Sequence, residues 1–322
     1  MQSPVAVVSL SAIVRNARLL KRRAGAALIA VVKNDGYGHG AAAVAHALSG
    51  EAAMFAVATV DEGAALRCAG ILSDILVLTP PSCMEEGLRA EVYGLILAAG
   101  SMRSLAFCRG RVHLAVNTGM NRYGFVPQET GRACAEARSR GLRVEGVFSH
   151  YYAAADACAR GAQNAVFEGC AARVRQHFPR AVRHIAATGG IAAGGTLYDA
   201  VRPGLGLYGY GAEGVLPAMK VYAEVLHGTE RVGGGAGYAR APRGAARLYT
   251  LGVGYGDGFF RGEGLCGAGP LCMDACVRQG DAAVGERVCV LENAAAYAEK
   301  CGTTAYEALV SIGKGMRKVY ER

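Results

Sequence analysis

The 322-residue chain is 52% hydrophobic and 19% charged, which supplies a large core and excludes a disordered protein. Its apolar runs fall short of the roughly 18–20 residues of a membrane span, and MQSPVAVVSLSAIVRNARLL has no basic stretch ahead of its apolar residues, so neither a membrane nor a secreted protein is expected. Thirty-five Lys and Arg against 26 Asp and Glu give a net charge of +9, but the basic residues are dispersed and Trp is absent, which fits a small anionic ligand better than nucleic acid.

The first two-thirds of the chain alternates short apolar runs with Ala-rich stretches of helical character, the pattern of βαβ units feeding a parallel sheet. The runs are ALIAVVK (27–33), MFAVAT (54–59), ILVLT (75–79), VYGLILA (92–98), VHLAVN (112–117), VEGVFSH (144–150), RHIAAT (183–188) and AVRPG (200–204). Eight parallel strands predict a closed (β/α)8 TIM barrel, taken here as residues 11–212. An open doubly wound sheet would carry a nucleotide fingerprint after its first strand, and none is there. The GxGxxG match at Gly204, Gly206 and Gly209 closes the series and has no helical pattern behind it. Beyond it, GGGAGY (233–238) and GYGDG (254–258) separate short strands such as ARLYTLGVG and RVCVLE, with a helical pair near 294–301 and 303–312. The fold class is therefore α/β, with a second, mostly β domain from residues 213–322.

Barrel enzymes place their working residues at the C-terminal ends of strands, where the loops converge. That position holds Lys33, Arg122, His150, Thr188 and Arg202. Lys33 follows an apolar run, and burial depresses a lysine pKa toward the neutral amine that Schiff-base chemistry needs. A lysine with two arginines suits an anionic aldehyde cofactor such as pyridoxal 5'-phosphate (PLP), with Tyr37, Thr188 and the Gly204 turn available as a phosphate cradle. Adjacent Ser149 and His150 point to opposite faces of a strand and cannot form a nucleophile and base pair. The eleven cysteines, odd in number and without CxxC spacing, fit neither disulfides nor a zinc module and point to reduced thiols and the cytoplasm. No metal site is expected, and His39, His46, His113, His177, His184 and His227 read as packing or solvent-facing residues.

VVKNDGYGHG resembles the PLP-lysine signature of alanine racemases, and the similarity continues through NTGMNRYGF (117–125), FSHYYAAAD (148–156), AVRPGLGLYGYG (200–211), GVGYGDG (252–258) and LCMD (271–274). The resemblance implies a PLP-binding barrel, a β domain of residues 1–10 and 213–322 that completes a partner's active site, and a homodimer acting on a small amino acid. It implies Lys33 and Tyr238 as the two proton-transfer groups, since inversion needs an acid or base on each face of Cα. Arg202 would face the pyridine nitrogen, with His150 hydrogen-bonded to it. Phosphate contacts fall to Tyr37, Thr188, Gly204, Leu205 and, in RKVY, Tyr320. Arg122, Tyr255, Met273 and Asp274 would contact substrate or its entrance, and the product D-alanine would serve as a cell-wall precursor.

The chain departs from the family at the lysine carried as a carbamate seven residues before the arginine, which here is Ala115, so Arg122 must be oriented otherwise, by Asn117 or by a bound anion. Ala187-Thr188 replaces the usual Asn-Ser, Pro270 replaces a common Arg, and the β domain is shortened. A rearranged entrance leaves serine as an alternative substrate, because an apolar pocket rejects one added hydroxyl only about 10²-fold. A non-catalytic PLP carrier would lack the β domain, and a barrel decarboxylase, whose cysteine Cys272 resembles superficially, would be longer.

Overall fold

Each of the eight apolar runs contributes a strand to one closed parallel barrel, in chain order around it. The computed structural model describes residues 4–240, 243–244, 246–261 and 270–321. Parts of the ranges 1–10 and 213–322 therefore lie outside the described residues. The chain divides into two units, one of Val14–Asn34 and Ala41–Val215, the other of Met1–Ile13, Asp35–Gly40 and Leu216–Arg322. The chain begins with strand β1 (Val5–Ser9) and helix α1 (Leu10–Ala24).

The barrel strands are β2 (Ala27–Val31), β3 (Met54–Val57), β4 (Asp74–Val77), β5 (Ile96–Ala99), β6 (Arg111–Ala115), β7 (Arg143–Phe148), β8 (Val182–Ala187) and β9 (Ala200–Arg202), closed by β2 on β9. Parallel strands are buried on both faces, which is why runs such as Ile96-Leu97-Ala98-Ala99 are continuously apolar and fully buried. Between them come α2 (Lys33–Tyr37), α3 (Ala41–Leu48), α4 (Val60–Cys68), α5 (Met84–Val92), α6 (Met102–Phe107), α7 (Thr130–Ser139), α8 (Ala157–His177) and α9 (Thr188–Ala193). Local sequence starts several of these helices. Thr59 and Glu62 cap α4 reciprocally, and Asp156 accepts from Cys158 and Ala159 N–H at the head of α8.

Ion pairs hold the strand starts. Arg111 Nη2 lies 2.7 Å from Asp74 Oδ2 and 2.7 Å from Glu145 Oε2, and the guanidinium holds the Asp74 carboxyl below its ordinary pKa. Arg183 Nη2 and Asp199 Oδ1 pair at 2.9 Å. These charges tie the N-terminal rim and leave the C-terminal rim for chemistry.

The other unit is built on β10 (Met219–Glu230), β11 (Gly235–Ala236), β12 (Ala239–Arg240), β13 (Arg247–Leu251), β14 (Cys276–Gln279), β15 (Arg287–Leu291), α10 (Ala294–Lys300), α11 (Ala305–Gly313) and β16 (Arg317–Glu321). Its main sheet runs β14-β13-β10-β1-β16, with β15 also on β10. The N-terminal strand β1 thus lies between antiparallel β10 and parallel β16. Val5, Ala6 and Val8 are buried in it, so a segment distant in sequence completes this sheet.

Candidate active site

Lys33 stands two residues beyond the end of β2, at the start of a turn whose backbone is left-handed. Asn34, Asp35, Gly36 and Tyr37 have φ of 51°, 52°, 61° and 53°. Such a conformation costs roughly 1–2 kcal/mol per non-glycine residue, and Asn and Asp tolerate it best. Tyr37, buried and large, is the strained member, and strain of this kind collects at functional sites. Side chains hold the turn. Glu62 Oε1 accepts from Asn34 N–H at 2.6 Å, so the residue that caps α4 also fixes the segment after the lysine. Lys318 Nζ on β16 pairs with Asp35 Oδ2 at 2.8 Å, and Gly40 lies against the Tyr320 hydroxyl from the same face of that strand.

Burial lowers the Lys33 pKa, Arg122 and Arg202 lower it further by charge, and Glu62 opposes them. The half-buried amine therefore loses its proton more readily than a surface lysine. Arg202, 4% exposed, is a buried cation with no carboxylate bonded to it among the described residues. Nη1 donates to His184 Nδ1 at 2.6 Å and to His184 O at 3.0 Å. Nη2 donates to Ser149 O at 2.6 Å and Ile185 O at 3.2 Å, and faces His150 Nδ1 at 3.3 Å. The Nε–H has no acceptor among the described residues. Burial first, then Arg122, lowers the Arg202 pKa to about 9, which leaves it cationic at neutral pH.

Thr188 brings the next loop into place. Its hydroxyl oxygen accepts from Gly206 N–H at 3.0 Å and Gly204 N–H at 3.3 Å, so its own hydrogen remains to be donated. Gly206 is required by close approach, because a Cβ there would stand 2.8 Å from Thr188 Cγ2 and 2.9 Å from Leu20 Cδ1. Leu205 follows Gly204 in the same tight turn. The expected Ala187-Thr188 pair thus keeps the hydroxyl where it organises the Gly204–Leu205–Gly206 backbone.

His150 is placed from behind by Gln163 of α8, whose Nε2 donates to His150 O and Thr118 Oγ1, each at 2.9 Å. The Ser149 hydroxyl bonds Thr118 Oγ1 at 2.7 Å, away from any base role. The expectation that Asn117 orients Arg122 is corrected. Asn117 Oδ1 accepts from Gly119 and Asn121 N–H, and its Nδ2 donates to Asn121 Oδ1, so the amide closes its own loop. Arg122 instead lies over the Tyr123 ring, 5.6 Å from its centroid. Its guanidinium is exposed and has no carboxylate partner among the described residues.

Sequence reasoning left His113 and His184 as packing or solvent-facing residues, but both are buried and belong to this cluster. His184 accepts from Arg202, stacks on Phe148 at 5.1 Å, and lies 2.9 Å from His113 Nδ1. The signal in the sequence is a histidine inside each of two barrel strands, RVHLA and VRHIAA, flanked on its C-terminal side by apolar residues only. Burial, helped by Arg111 and Arg202 respectively, lowers His113 and His150 to about 3, and burial with Arg202 lowers His184 well below its usual value. His113 and His150 are neutral in the folded chain at pH 5 and His184 is shifted the same way, whereas unfolded histidines protonate near 6.5. A depressed folded pKa stabilises above the unfolded value, and that stability is lost as pH falls toward the folded value, on the order of 1.4 kcal/mol per pH unit per group. The urea midpoint of the cofactor-free protein is therefore expected to fall steeply between pH 6.5 and 4; a flat midpoint would contradict neutral burial.

In the other unit, the structure brings Tyr255, Met273 and Asp274 together. Tyr255 N–H donates to Cys272 O at 3.1 Å, Gly256 N–H donates to Met273 O at 2.8 Å, and a Cβ on Gly256 would stand 3.3 Å from Asp274 Oδ1. Tyr238 sits between β11 and β12, with the Arg261 guanidinium 5.7 Å from its ring centroid; an added Cβ on the preceding Gly237 would stand 3.9 Å from Cys272 Sγ. Tyr238 is 71% exposed and Met273 is 56% exposed. Among the described residues no group of His, Cys, Asp and Glu is arranged for a metal, and no described helix is long and apolar enough to cross a membrane.

The alanine racemase N-terminal domain matches residues 8–212. Alanine racemase of Mycobacterium bovis is 35% identical, covering 98% of this chain and 95% of its own length, and that of Thermobifida fusca is 34% identical, covering 97% and 96%. The solved alanine racemase of Streptomyces lavendulae, a D-cycloserine producer, superposes with a TM-score of 0.88 at 28% identity over 100% of this chain and 98% of that one. The E. faecalis enzyme superposes with a TM-score of 0.90 at 27% identity over 99% and 98%.

Proposed function

The chain belongs to the alanine racemase family, and from that premise we propose that it interconverts L- and D-alanine with PLP carried on Lys33. The observation that carries this reading is the convergence on one barrel rim of the Lys33 amine, with its lowered pKa, and the Arg122 and Arg202 cations that lower it, against which Glu62 acts. A cluster so positive and partly desolvated suits an anionic cofactor and a carboxylate substrate. The donors fit PLP in kind. Thr188 has a hydroxyl hydrogen to give beside the Gly204–Leu205 backbone, and Arg202 keeps one Nε–H uncommitted.

PLP, when bound, supplies an electron-withdrawing ring that stabilises the charge left when a Cα proton departs. Lys33 holds the cofactor and moves a proton at Cα on one face; Tyr238 moves one on the other. Arg202, cationic at neutral pH, would donate to the pyridine nitrogen of bound PLP and so hold that nitrogen unprotonated, a role that would suppress transamination. His150 supports Arg202. Arg122 orients the substrate carboxylate with its planar fork. Thr188, Gly204 and Leu205 hold the phosphate, as do the Tyr37 and Tyr320 hydroxyls, and Tyr255, Met273 and Asp274 form the substrate entrance.

Tyr238, Met273 and Tyr255 are each exposed in the same unit, and exposed aromatic and methionine side chains are of the kind that interfaces use. The chain accordingly works as a homodimer in which one copy's Tyr238 serves the other's Lys33. The free cysteines of the described residues support a cytoplasmic location. Incubating L- or D-alanine in deuterated water with chiral analysis is expected to give inversion together with deuterium at Cα, and serine is expected to react more slowly. Bound, absorbing cofactor without exchange would overturn the racemase reading and favour a carrier.

A further inference from the structure

Barrel lumens are normally filled by layers of aliphatic side chains drawn from alternate strands. Here β6 and β8, the strands on either side of β7, place His113 and His184 in contact, 1% and 0% exposed. Their meeting passes over Gly146 of β7, where a Cβ would stand 2.5 Å from His113 Nδ1. Both imidazoles are neutral, and the direction of every bond in the chain follows from one fact: a guanidinium only donates.

Arg202 Nη1 lies 2.6 Å from His184 Nδ1, so that nitrogen is bare. The one ring proton of neutral His184 is then on Nε2, 2.9 Å from His113 Nδ1, which must also be bare. We infer that His113 is a positioning residue for Arg202, supplying the buried acceptor that holds His184 in the tautomer able to receive the guanidinium. Which ring nitrogen carries the proton is set by the hydrogen bond made at the other one. Without the acceptor, the His184 Nε2–H is orphaned in a dry lumen, and a buried unsatisfied donor costs about 1–3 kcal/mol. That cost favours the opposite tautomer, whose Nδ1–H confronts the Arg202 N–H donor to donor and turns the guanidinium away. The functional half of this inference rests on the proposed PLP chemistry; the tautomer half does not.

Long-range proton–nitrogen correlation spectra of the histidine rings, on cofactor-free and PLP-loaded protein, distinguish bare from protonated nitrogens. His184 is expected to be bare at Nδ1 and protonated at Nε2. His113→Leu is expected to mix or invert that pattern, and Gly146→Ala to act likewise by displacing the His113 ring. His113→Asn keeps an acceptor and is expected to restore the pattern. In the loaded enzyme, His113→Leu should lower kcat by roughly 10–100-fold, the usual effect of losing an orienting partner, with KM for alanine within about twofold. It should also raise cofactor loss by transamination per turnover about 10-fold, as expected if a misplaced Arg202 no longer guards the ring nitrogen. A purely structural role would lower the melting temperature without moving the tautomer or that ratio. The inference is overturned by a wild-type His184 protonated at Nδ1, or by a His113→Leu protein whose His184 pattern is unchanged, whatever its rate. If no PLP binds, the functional reading falls while the nitrogen spectra still decide the role of His113.

Discussion

Lys33→Ala is expected to abolish turnover and the visible absorption of the protein-bound cofactor together. The amine is the one nucleophile of the positive cluster, and burial with two nearby guanidinium groups shifts it toward the neutral form that attacks a carbonyl. The substitution removes a half-buried side chain at the start of a turn whose other contacts, from Glu62 to Asn34 and from Lys318 to Asp35, are untouched. The far-ultraviolet spectrum and melting of the cofactor-free variant should therefore match those of the unaltered chain. Since the same residue is proposed both to hold PLP and to move one proton, loss of at least the full catalytic enhancement is expected rather than a graded decline. Racemisation surviving in Lys33→Ala would remove this lysine from the mechanism.

Tyr238→Phe is expected to slow racemisation by about 10²–10⁴, the range for loss of a positioned acid or base, and more in the direction for which the phenol is the base. Lys33 still works on its own face, so deuterium should continue to enter one enantiomer without inversion. This partial exchange separates a missing second proton donor from a collapsed site. The exposure of Tyr238 also makes a sharper experiment possible. Dissociated and remixed Lys33→Ala and Tyr238→Phe copies should regain about a quarter of full activity, because half of randomly formed dimers contain one intact site of two. Rates near the unaltered level in Tyr238→Phe would exclude the phenol; absence of rescue on remixing would exclude sharing between copies.

Much of the barrel was legible from local pattern. Parallel strands buried on both faces demand unbroken apolar runs, and eight of these with helical spacers leave few architectures. Lys33, Thr188 and Arg202 were legible for a related reason, since a polar residue ending such a run stands at the rim where loops meet. Asn117 was misread because its polarity said nothing of direction; the amide spends its bonds on Gly119 and Asn121 within its own loop. The left-handed φ of Tyr37 carried no mark in the sequence.

Order along the chain, apolar period and residue chemistry were thus enough to specify the strands, their sequence around the barrel and the kind of ligand the cations want. They are properties of neighbours in sequence. The partners of His113 and His184 are not: those rings stand 71 residues apart and meet only because β6 and β8 flank a glycine on β7. The same holds for β1, which completes a sheet with β10 and β16 from the far end of the chain. Hydrogen-bond direction and lumen packing depend on which distant groups closure of the barrel brings within 3 Å, and no local pattern encodes that.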